Sequence, residues 1–260
     1  MPTALVTGAS AGLGEGFARA LAKEGHNLIL TARRVDRLEA LAVDLRRKHG
    51  VSVHIFAADL AEADAPAELI ARVAEAGLTI DTLINNAGFG LQGAVADLDG
   101  DKQGAIIDVN CRALVLLARA VLPAMIARGK GGILNIASTA AFQPGPRFAV
   151  YSASKAFVLS FSEALHEEVK ADGVAVAALC PGPTHTEFAE VAGMRHSVLF
   201  ERFAGKPDAV IHDGLAALKA NQAVKISGAM NFLMAESIRL APRGLVRRLA
   251  HQLQKGRTQS

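Results

Sequence analysis

The stretch ALVTGASAGLGEGFARALAKEG, residues 4–25, is the part of the sequence that indicates the fold most clearly. Residues 4–8 form an apolar run that is typical of a buried strand. Residues 12–25 have the apolar spacing of an amphipathic helix, which ends at Gly25. The stretch therefore predicts a strand, a short glycine-rich turn and a helix.

The glycines of this turn indicate what it binds. Gly8 permits a tight turn, Gly12 lets the backbone approach a pyrophosphate, and Gly14 allows the helix to pack closely. The start of the helix then offers free N–H groups and a positive dipole end to an anion. Placed between a first strand and a first helix, this pattern predicts a dinucleotide-binding turn.

The alternation of strands and helices continues along the chain. We predict strands over 27–32, 51–58, 82–85, 131–138 and 174–180, and helices over 35–50, 61–77, 100–128 and 150–171. Strands separated by such helices pair in parallel, with right-handed crossovers that cover both faces of the sheet. Because no linker-like segment divides the chain, we predict one doubly wound α/β domain spanning residues 1–260.

Composition excludes several classes of protein. Of 260 residues, 51% are apolar and 20% are charged, so the chain can bury enough surface to fold. The two cysteines, Cys111 and Cys180, give neither a disulfide framework nor a zinc-ligand spacing, and we predict no metal site. The N-terminus lacks the features of a signal peptide, and no apolar run reaches the ~20 residues that span a bilayer. We therefore expect a cytoplasmic protein.

The end of the second predicted strand indicates which dinucleotide binds. In the dinucleotide-binding fold, an acid about 20 residues beyond the glycines binds the ribose 2′-hydroxyl. Here the strand ends in Arg33 and Arg34, and a guanidinium attracts the 2′-phosphate that a carboxylate would repel. We predict a preference for NADP(H) and assign the phosphate mainly to Arg33, since Arg34 also suits a solvated residue opening the next helix. Asp59 is either an acceptor for the adenine amino group or an N-cap for the helix at 61.

Three groups of polar residues follow later strands, at the sheet edge where open α/β proteins place their sites. They are the run Asn85-Asn86-Ala87-Gly88, Ser138, and the pair Tyr151 and Lys155. Tyr151 is the single tyrosine of the chain, and Lys155 lies one helical turn beyond it. A free phenol has a pKa near ~10, and both a nearby ammonium and an oxidised nicotinamide lower it toward the range useful for acid–base catalysis.

Together these motifs resemble the short-chain dehydrogenase/reductase superfamily. The resemblance covers residues 3–187 and includes TGASAGLG, NNAG, a serine ahead of Y-x-x-x-K, and a later Pro-Gly pair. It implies a Rossmann fold with seven parallel strands in the order 3-2-1-4-5-6-7, and an NAD(P)(H)-dependent oxidoreductase. By this resemblance, Tyr151 is the general acid–base and Ser138 holds the substrate oxygen. Lys155 binds the nicotinamide ribose and lowers the pKa of Tyr151, and Asn110 holds a water beside Lys155.

The motifs and the resemblance also give the predicted cofactor-binding residues. They are Gly8, Ser10, Gly12, Leu13, Gly14, Arg33, Arg34, Asp59, Leu60, Asn86, Ala87, Gly88, Tyr151, Lys155, Pro181, Gly182, Thr184 and Thr186. The resemblance implies that the Pro-Gly turn faces the nicotinamide and that the NNAG run lines the adenosine side. Thr184 and Thr186 would then contact the carboxamide and the phosphates. One departure is Ala11, where many NADP-preferring members have a basic residue, and this leaves the 2′-phosphate chiefly to Arg33.

The region around the site indicates the class of substrate. We predict a substrate lid over 183–205 and a pocket lined by Phe89, Leu91, Phe142, Phe148, Phe188, Val191, Met194, Leu199 and Phe200. Few charges accompany these residues, which favours an apolar ketone, aldehyde or acyl carbonyl, or the corresponding alcohol. Alternatively, several of these phenylalanines belong to the core or to a subunit interface. The alternative function is a non-catalytic NADP(H)-binding redox sensor on the same fold.

A basic helical extension, residues 229–260, ends the chain. Residues 236–260 hold six basic residues and one acid, although the net charge of the whole chain is only +3. Pro242 and Gly244 divide the extension into two helical pieces. It either lies on an anionic membrane surface or, as we favour, docks on the domain or on a neighbouring subunit. Without interleaved aromatic residues it does not suit nucleic acid. The resemblance implies a homodimer or homotetramer formed through the two longest predicted helices.

Overall fold

A seven-stranded parallel sheet positions the site. The computed structural model describes residues 1–185, 187 and 205–255. Its strands are β1 (Thr3–Thr7), β2 (Asn27–Thr31), β3 (Val53–Ile55), β4 (Thr82–Asn85), β5 (Gly131–Ile136), β6 (Val174–Cys180) and β7 (Val224–Ile226). They pair in the order β3-β2-β1-β4-β5-β6-β7. The predicted Rossmann fold and its strand order are therefore confirmed.

Neighbouring residues of the central strand β1 point to opposite faces of the sheet. Leu5 packs in one buried cluster with Ile29 and Leu83. Val6, the next residue, packs in a second cluster that contains Phe17. All of these side chains are fully buried. Because both faces are covered, the strands read as continuous apolar runs rather than alternating ones.

Nine α-helices within the described residues accompany the sheet. They are α1 (Gly12–Lys23), α2 (Val35–His49), α3 (Ala65–Glu75), α4 (Gly100–Ile107), α5 (Leu114–Ala127), α6 (Ala149–Val169), α7 (Pro207–Lys219), α8 (Ala229–Leu240) and α9 (Arg243–Lys255). The third helix begins at Ala65 and not at residue 61. Pro66 occupies its first turn, the one part of a helix where a missing N–H costs nothing.

The helix predicted over 100–128 is interrupted. A π-helical segment, Asp108–Ala113, separates α4 from α5. Asn110 lies inside this segment and is fully buried. Asn85, at the end of β4, donates a 3.2 Å hydrogen bond to the carbonyl of Leu114, immediately after the segment. Such bulges occur frequently at functional sites, because they re-aim side chains that a regular helix would point elsewhere.

The described part of the C-terminal extension, up to Lys255, consists of α8 and α9, the two helical pieces predicted from Pro242 and Gly244. Val246 and Ala250 of α9 are buried, whereas Leu245 and Leu249 are 50% and 49% exposed. One face of α9 is thus packed within the protein, as the docking interpretation requires. No helix among the described residues is long and apolar enough to cross a membrane, and no cluster of three metal-ligating side chains occurs among them.

Candidate active site

The turn after β1 is shaped for phosphate. Gly8 and Gly12 have φ values of 67° and 57°, a backbone region that favours glycine. Ala11, which precedes α1, provides no side-chain cap for the helix, so the first N–H groups remain available to a bound anion. A Cβ atom on Gly14 would lie 2.2 Å from the carbonyl oxygen of Gly8. The turn therefore needs its glycines, and its donors fit a dinucleotide.

Thr7 joins this turn to the NNAG run. Its Oγ1 accepts hydrogen bonds of 2.9 Å from the backbone N–H groups of Asn86 and Ala87, and it donates one of 3.2 Å to the carbonyl of Ile84. The Asn86 side chain donates in return to the carbonyl of Thr7, at 3.0 Å. We did not assign Thr7 a role from the sequence, although its place directly before Gly8 was the available signal.

Arg34, rather than Arg33, contacts the glycine-rich turn. The Nε and Nη2 atoms of Arg34 lie 3.3 and 3.2 Å from Ser10 Oγ. The side chain of Arg33 is 74% exposed, and its Nη1 lies 3.7 Å from an oxygen of Asp59. Although the backbone of Arg34 precedes α2, its side chain folds back over the turn. Arg34 thus lies against the glycine-rich turn and Arg33 does not, and the assignment of the 2′-phosphate mainly to Arg33 stays a prediction.

Asp59 and Leu60 lie beyond the end of β3. Asp59 Oδ1 accepts a 3.1 Å hydrogen bond from the N–H of Ala61. The helix that follows starts at Ala65 after Asp64, so the interpretation of Asp59 as its N-cap is wrong. Its role as an acceptor for adenine stays a prediction. The side chain of Leu60 is buried in the core, and its predicted contact with the cofactor stays a prediction.

Ser138 and Tyr151 form a hydrogen-bonded pair at the carboxyl edge of the sheet. Ser138 follows β5, and its Oγ accepts a 3.1 Å hydrogen bond from the N–H of Ala140. Tyr151 lies in the first turn of α6, and both residues are 9% exposed. Burial raises the pKa of Tyr151 to about 12, and the hydrogen bond with Ser138 opposes this shift. The phenol is therefore a protonated acid at neutral pH.

Lys155 lies one turn further along α6. Its Nζ donates a 2.7 Å hydrogen bond to the carbonyl of Ile136 and lies 5.9 Å from the centroid of the Tyr151 ring. Burial lowers the pKa of Lys155 to about 8, against the opposing effect of Cys111 and Cys180. Burial has the largest effect on the pKa of Tyr151 in this structure, and the lowering of that pKa by Lys155 that the resemblance implies stays a prediction.

Both ends of the Asn110 amide are bound by the protein. Its Oδ1 accepts from the N–H of Phe89 at 3.1 Å, and its Nδ2 donates to the carbonyl of Phe89 at 3.0 Å and to Ser154 Oγ at 2.9 Å. A Cβ atom on Gly88 would lie 2.9 Å from Asn110 Oδ1 and 3.4 Å from Lys155 Nζ. Asn110 therefore holds the backbone of Gly88 and Phe89 in place beside Lys155. The water molecule that the resemblance implies between Asn110 and Lys155 stays a prediction.

Two neighbours determine the position of the Tyr151 ring. A Cβ atom on Gly90 would lie 2.8 Å from Tyr151 Cδ2, so only a glycine leaves the ring in place. On another side, Phe148 packs edge-to-face with the ring, at 6.2 Å between centroids. We placed Phe148 in the pocket lining from the sequence and assigned neither residue a role in holding the tyrosine. The signal for Gly90 was its position two residues after the NNAG run.

The Pro-Gly turn follows β6. Thr184 Oγ1 donates to the carbonyl of Gly182 at 2.9 Å, and a Cβ atom on Gly182 would lie 2.4 Å from Asn231 Nδ2. A cavity of about 340 Å³ adjoins this turn and α8, but none of the predicted catalytic residues lines it. The predicted roles of Pro181 and Thr184 stay predictions. Thr186, most of the predicted lid and five lining residues lie outside the described residues, namely Phe188, Val191, Met194, Leu199 and Phe200.

Comparison with known proteins agrees with this arrangement. The family model described as short chain dehydrogenase matches residues 2–195. Among curated proteins, a very-long-chain 3-oxoacyl-CoA reductase of Bos taurus is 37% identical over 193 residues, which is 72% of this chain and 61% of that protein. Sulfoacetaldehyde reductase 2 of Chromohalobacter salexigens is 40% identical over 186 residues, 71% of this chain and 73% of that one.

Solved structures extend the similarity to nearly the whole chain. A short-chain dehydrogenase from Sphingobium yanoikuyae in complex with NADPH is 32% identical, with a TM-score of 0.84, and covers 100% of this chain and 99% of that one. A bulky-bulky ketone specific alcohol dehydrogenase from Comamonas testosteroni is 31% identical, with a TM-score of 0.79, and the match covers 95% of this chain and 94% of that one. The matched segment spans about three fifths of the mammalian 3-oxoacyl-CoA reductase.

Proposed function

Because the chain belongs to the short-chain dehydrogenase family, and so is an NADP(H)-dependent oxidoreductase of CH–OH and C=O groups, we propose that it reduces an apolar ketone, aldehyde or acyl carbonyl. The observation that carries the proposal is the buried pair of Ser138 and Tyr151, a protonated phenol hydrogen-bonded to a serine. The pair lies at the sheet edge that also bears the phosphate-binding turn, where such folds bring cofactor and substrate together.

The residues divide the chemistry between them. Bound NADPH supplies the hydride that the carbonyl carbon accepts. Ser138 binds the carbonyl oxygen, and the phenol of Tyr151 donates its proton to that oxygen as negative charge develops there. Burial raises the pKa of Tyr151 to about 12, so the phenol holds this proton at neutral pH. The phenolate left behind is stabilised by Ser138 and by the Lys155 ammonium, 5.9 Å from the ring centroid.

The proposed substrate class rests on the apolar residues around the tyrosine. Phe148 is buried against the Tyr151 ring. Phe89 and Leu91 are half-buried and flank Gly90, which lies against the same ring. Two of the relatives are named for a very-long-chain 3-oxoacyl-CoA and for bulky ketones, and both substrates carry a carbonyl next to extended apolar surface. No relative named here favours the alternative of a non-catalytic redox sensor.

The test combines a substrate panel with one substitution. NADPH oxidation is followed by absorbance with a series of ketones, aldehydes and acyl thioesters of increasing apolar length. Tyr151→Phe removes only the phenolic oxygen, so we expect turnover to fall by about 10²–10⁴-fold while NADPH still binds, as measured by fluorescence. Turnover retained in Tyr151→Phe would show that another group donates the proton.

We also propose that the protein is a cytoplasmic homodimer or homotetramer whose interface involves α4, α5 and α6. Ile107, Leu116 and Phe157, one on each of these helices, are 52%, 41% and 45% exposed. Phe157 stacks on Phe161 at 6.1 Å between centroids, which adds to the apolar surface of α6. We expect Phe157→Ser to reduce the mass measured by light scattering, and an unchanged mass would place the interface elsewhere.

A further inference from the structure

Glu187 binds the same arginine that lies over the phosphate-binding turn. One of its carboxylate oxygens is 2.8 Å from Arg34 Nη2, and the other is 3.6 Å from Arg37 Nη1. Arg34 is at the same time within hydrogen-bond distance of Ser10 Oγ. Arg34 and Glu187 are 153 residues apart in the chain, so the contact joins the end of β2 to the segment that follows the Pro-Gly turn.

These groups form a site for an anion. Two guanidinium groups and a hydroxyl are the donors that a phosphate monoester binds, and the fork of Arg34 suits carboxylate and phosphate equally. The site lies at the end of β2 beside the glycine-rich turn, where the dinucleotide fold places the adenine ribose and its 2′ substituent. A carboxylate of the protein therefore occupies the place that suits the 2′-phosphate of NADP(H).

We propose that Glu187 is a specificity-determining residue, an internal anion that holds the 2′-phosphate subsite and is displaced when NADP(H) binds. A carboxylate and a 2′-phosphate repel each other, so they do not share Arg34. The phosphate carries the greater negative charge and replaces the carboxylate. NADH has no 2′-phosphate and leaves the pair of Glu187 and Arg34 intact.

The exposure of the pair sets the size of the effect. The side chains of Arg34 and Glu187 are 43% and 40% exposed, and ion pairs this exposed are weak and screened by salt. Displacement therefore weakens NADPH binding by a modest factor and does not block it. Neutralising the carboxylate removes both this competition and the repulsion of the phosphate. We expect a gain of about two- to tenfold in NADPH affinity.

The experiment measures binding and needs no substrate, so its result is independent of the proposed reaction. NADPH and NADH are titrated by fluorescence into the full-length wild type, Glu187→Gln and Asp36→Asn. Asp36 is a matched control because it lies in the first turn of α2 beside Arg37 but forms no salt bridge among the described residues. Adenosine 2′,5′-bisphosphate and adenosine 5′-monophosphate, titrated in competition with NADPH, isolate the contribution of the 2′-phosphate.

The expected result is specific to the phosphate. At low salt, Glu187→Gln binds NADPH and adenosine 2′,5′-bisphosphate about two- to tenfold more tightly than the wild type does. Its affinities for NADH and adenosine 5′-monophosphate stay within twofold of the wild-type values. At high salt, the variant and the wild type bind NADPH with the same affinity. Asp36→Asn has a smaller effect. Weaker NADPH binding in Glu187→Gln would mean that the carboxylate pre-orients Arg34, and would overturn the proposal. No change, or equal tightening of NADH, would overturn it as well.

Discussion

The ammonium of Lys155 lies 5.9 Å from the centroid of the Tyr151 ring, and burial shifts the pKa values of the two groups in opposite directions. The pKa of Tyr151 rises to about 12 and that of Lys155 falls to about 8. In each case burial disfavours the charged form, which is a phenolate for Tyr151 and an ammonium for Lys155. The site therefore holds a proton on oxygen tightly and a proton on nitrogen loosely.

The tyrosine can be titrated directly, because the chain has one tyrosine and no tryptophan. With a pKa near 12, the phenolate absorbance of the folded protein should rise only above pH 10, whereas the unfolded protein in guanidinium should titrate near ~10. Circular dichroism at each pH confirms that the protein is still folded. Tyr151→Phe is the blank and should show no rise. A midpoint at or below 10 in the folded protein would contradict the shift.

The lowered pKa of Lys155 predicts a pH-dependent stability. Folding lowers the pKa of Lys155 from 10.5 to about 8, because burial disfavours the ammonium. With respect to this group, the folded protein is therefore most stable above pH 10.5, where the amine is neutral in both states, and it loses this stability as the pH falls toward about 8. Between pH 7 and pH 10, the wild type should therefore gain about 2–3 kcal/mol in free energy of unfolding relative to Lys155→Met. Urea denaturation at both pH values measures the difference.

The comparison with Lys155→Met cancels the other effects of the substitution. Methionine leaves the carbonyl of Ile136 without its donor, but that loss does not depend on pH and drops out when the two pH values are compared. A difference between the two proteins that stays constant from pH 7 to pH 10 would mean that Lys155 has an ordinary pKa.

Local sequence patterns predicted six of the seven strands, and the resemblance supplied the seventh strand and the strand order. The apolar run of β1, the glycines after it and the helical spacing of α1 are local signals, and each agrees with the parallel sheet that forms. The signals for the predicted site residues were local as well, since Ser138 directly follows β5 and the pair Tyr151 and Lys155 lies near the start of α6. Pattern and topology together brought them to one edge of the sheet.

The features that the sequence did not predict depend on contacts between distant residues. The sequence around Asn110 has a helical pattern, and the π-helical segment is accompanied by hydrogen bonds to Phe89 and from Asn85, more than 20 residues away. The pKa of Tyr151 depends on burial, which no local motif encodes. The choice between Arg33 and Arg34 depends on the direction of a side chain, and adjacent positions do not reveal it.

Gly90 should be essential for the position of the catalytic ring. In Gly90→Ala, the added Cβ atom would lie 2.8 Å from Tyr151 Cδ2, so the ring must move by a few tenths of an ångström. Misplacement of a reacting group costs up to about 10²-fold in rate, and we expect a 10- to 100-fold loss of turnover. NADPH affinity should be unchanged, because the new atom does not touch the glycine-rich turn.

Gly104→Ala is the matched control for this substitution. Gly104 lies in α4, with nothing within 4 Å of its added Cβ atom. It should keep wild-type turnover and gain up to about 1 kcal/mol in stability, since alanine favours the helix. Wild-type turnover in Gly90→Ala would show that the Tyr151 ring tolerates displacement.

The last prediction separates the two faces of α9. Val246 is 8% exposed and Leu249 is 49% exposed, although both are apolar residues of one basic helix. If α9 docks on the protein, Val246→Ser leaves a polar group in a packed site and should lower the free energy of unfolding by about 1–3 kcal/mol. Leu249→Ser should change it by less than about 0.5 kcal/mol. Salt-sensitive binding of the wild type to anionic vesicles, lost in Leu249→Ser, would instead assign the exposed face to a membrane surface.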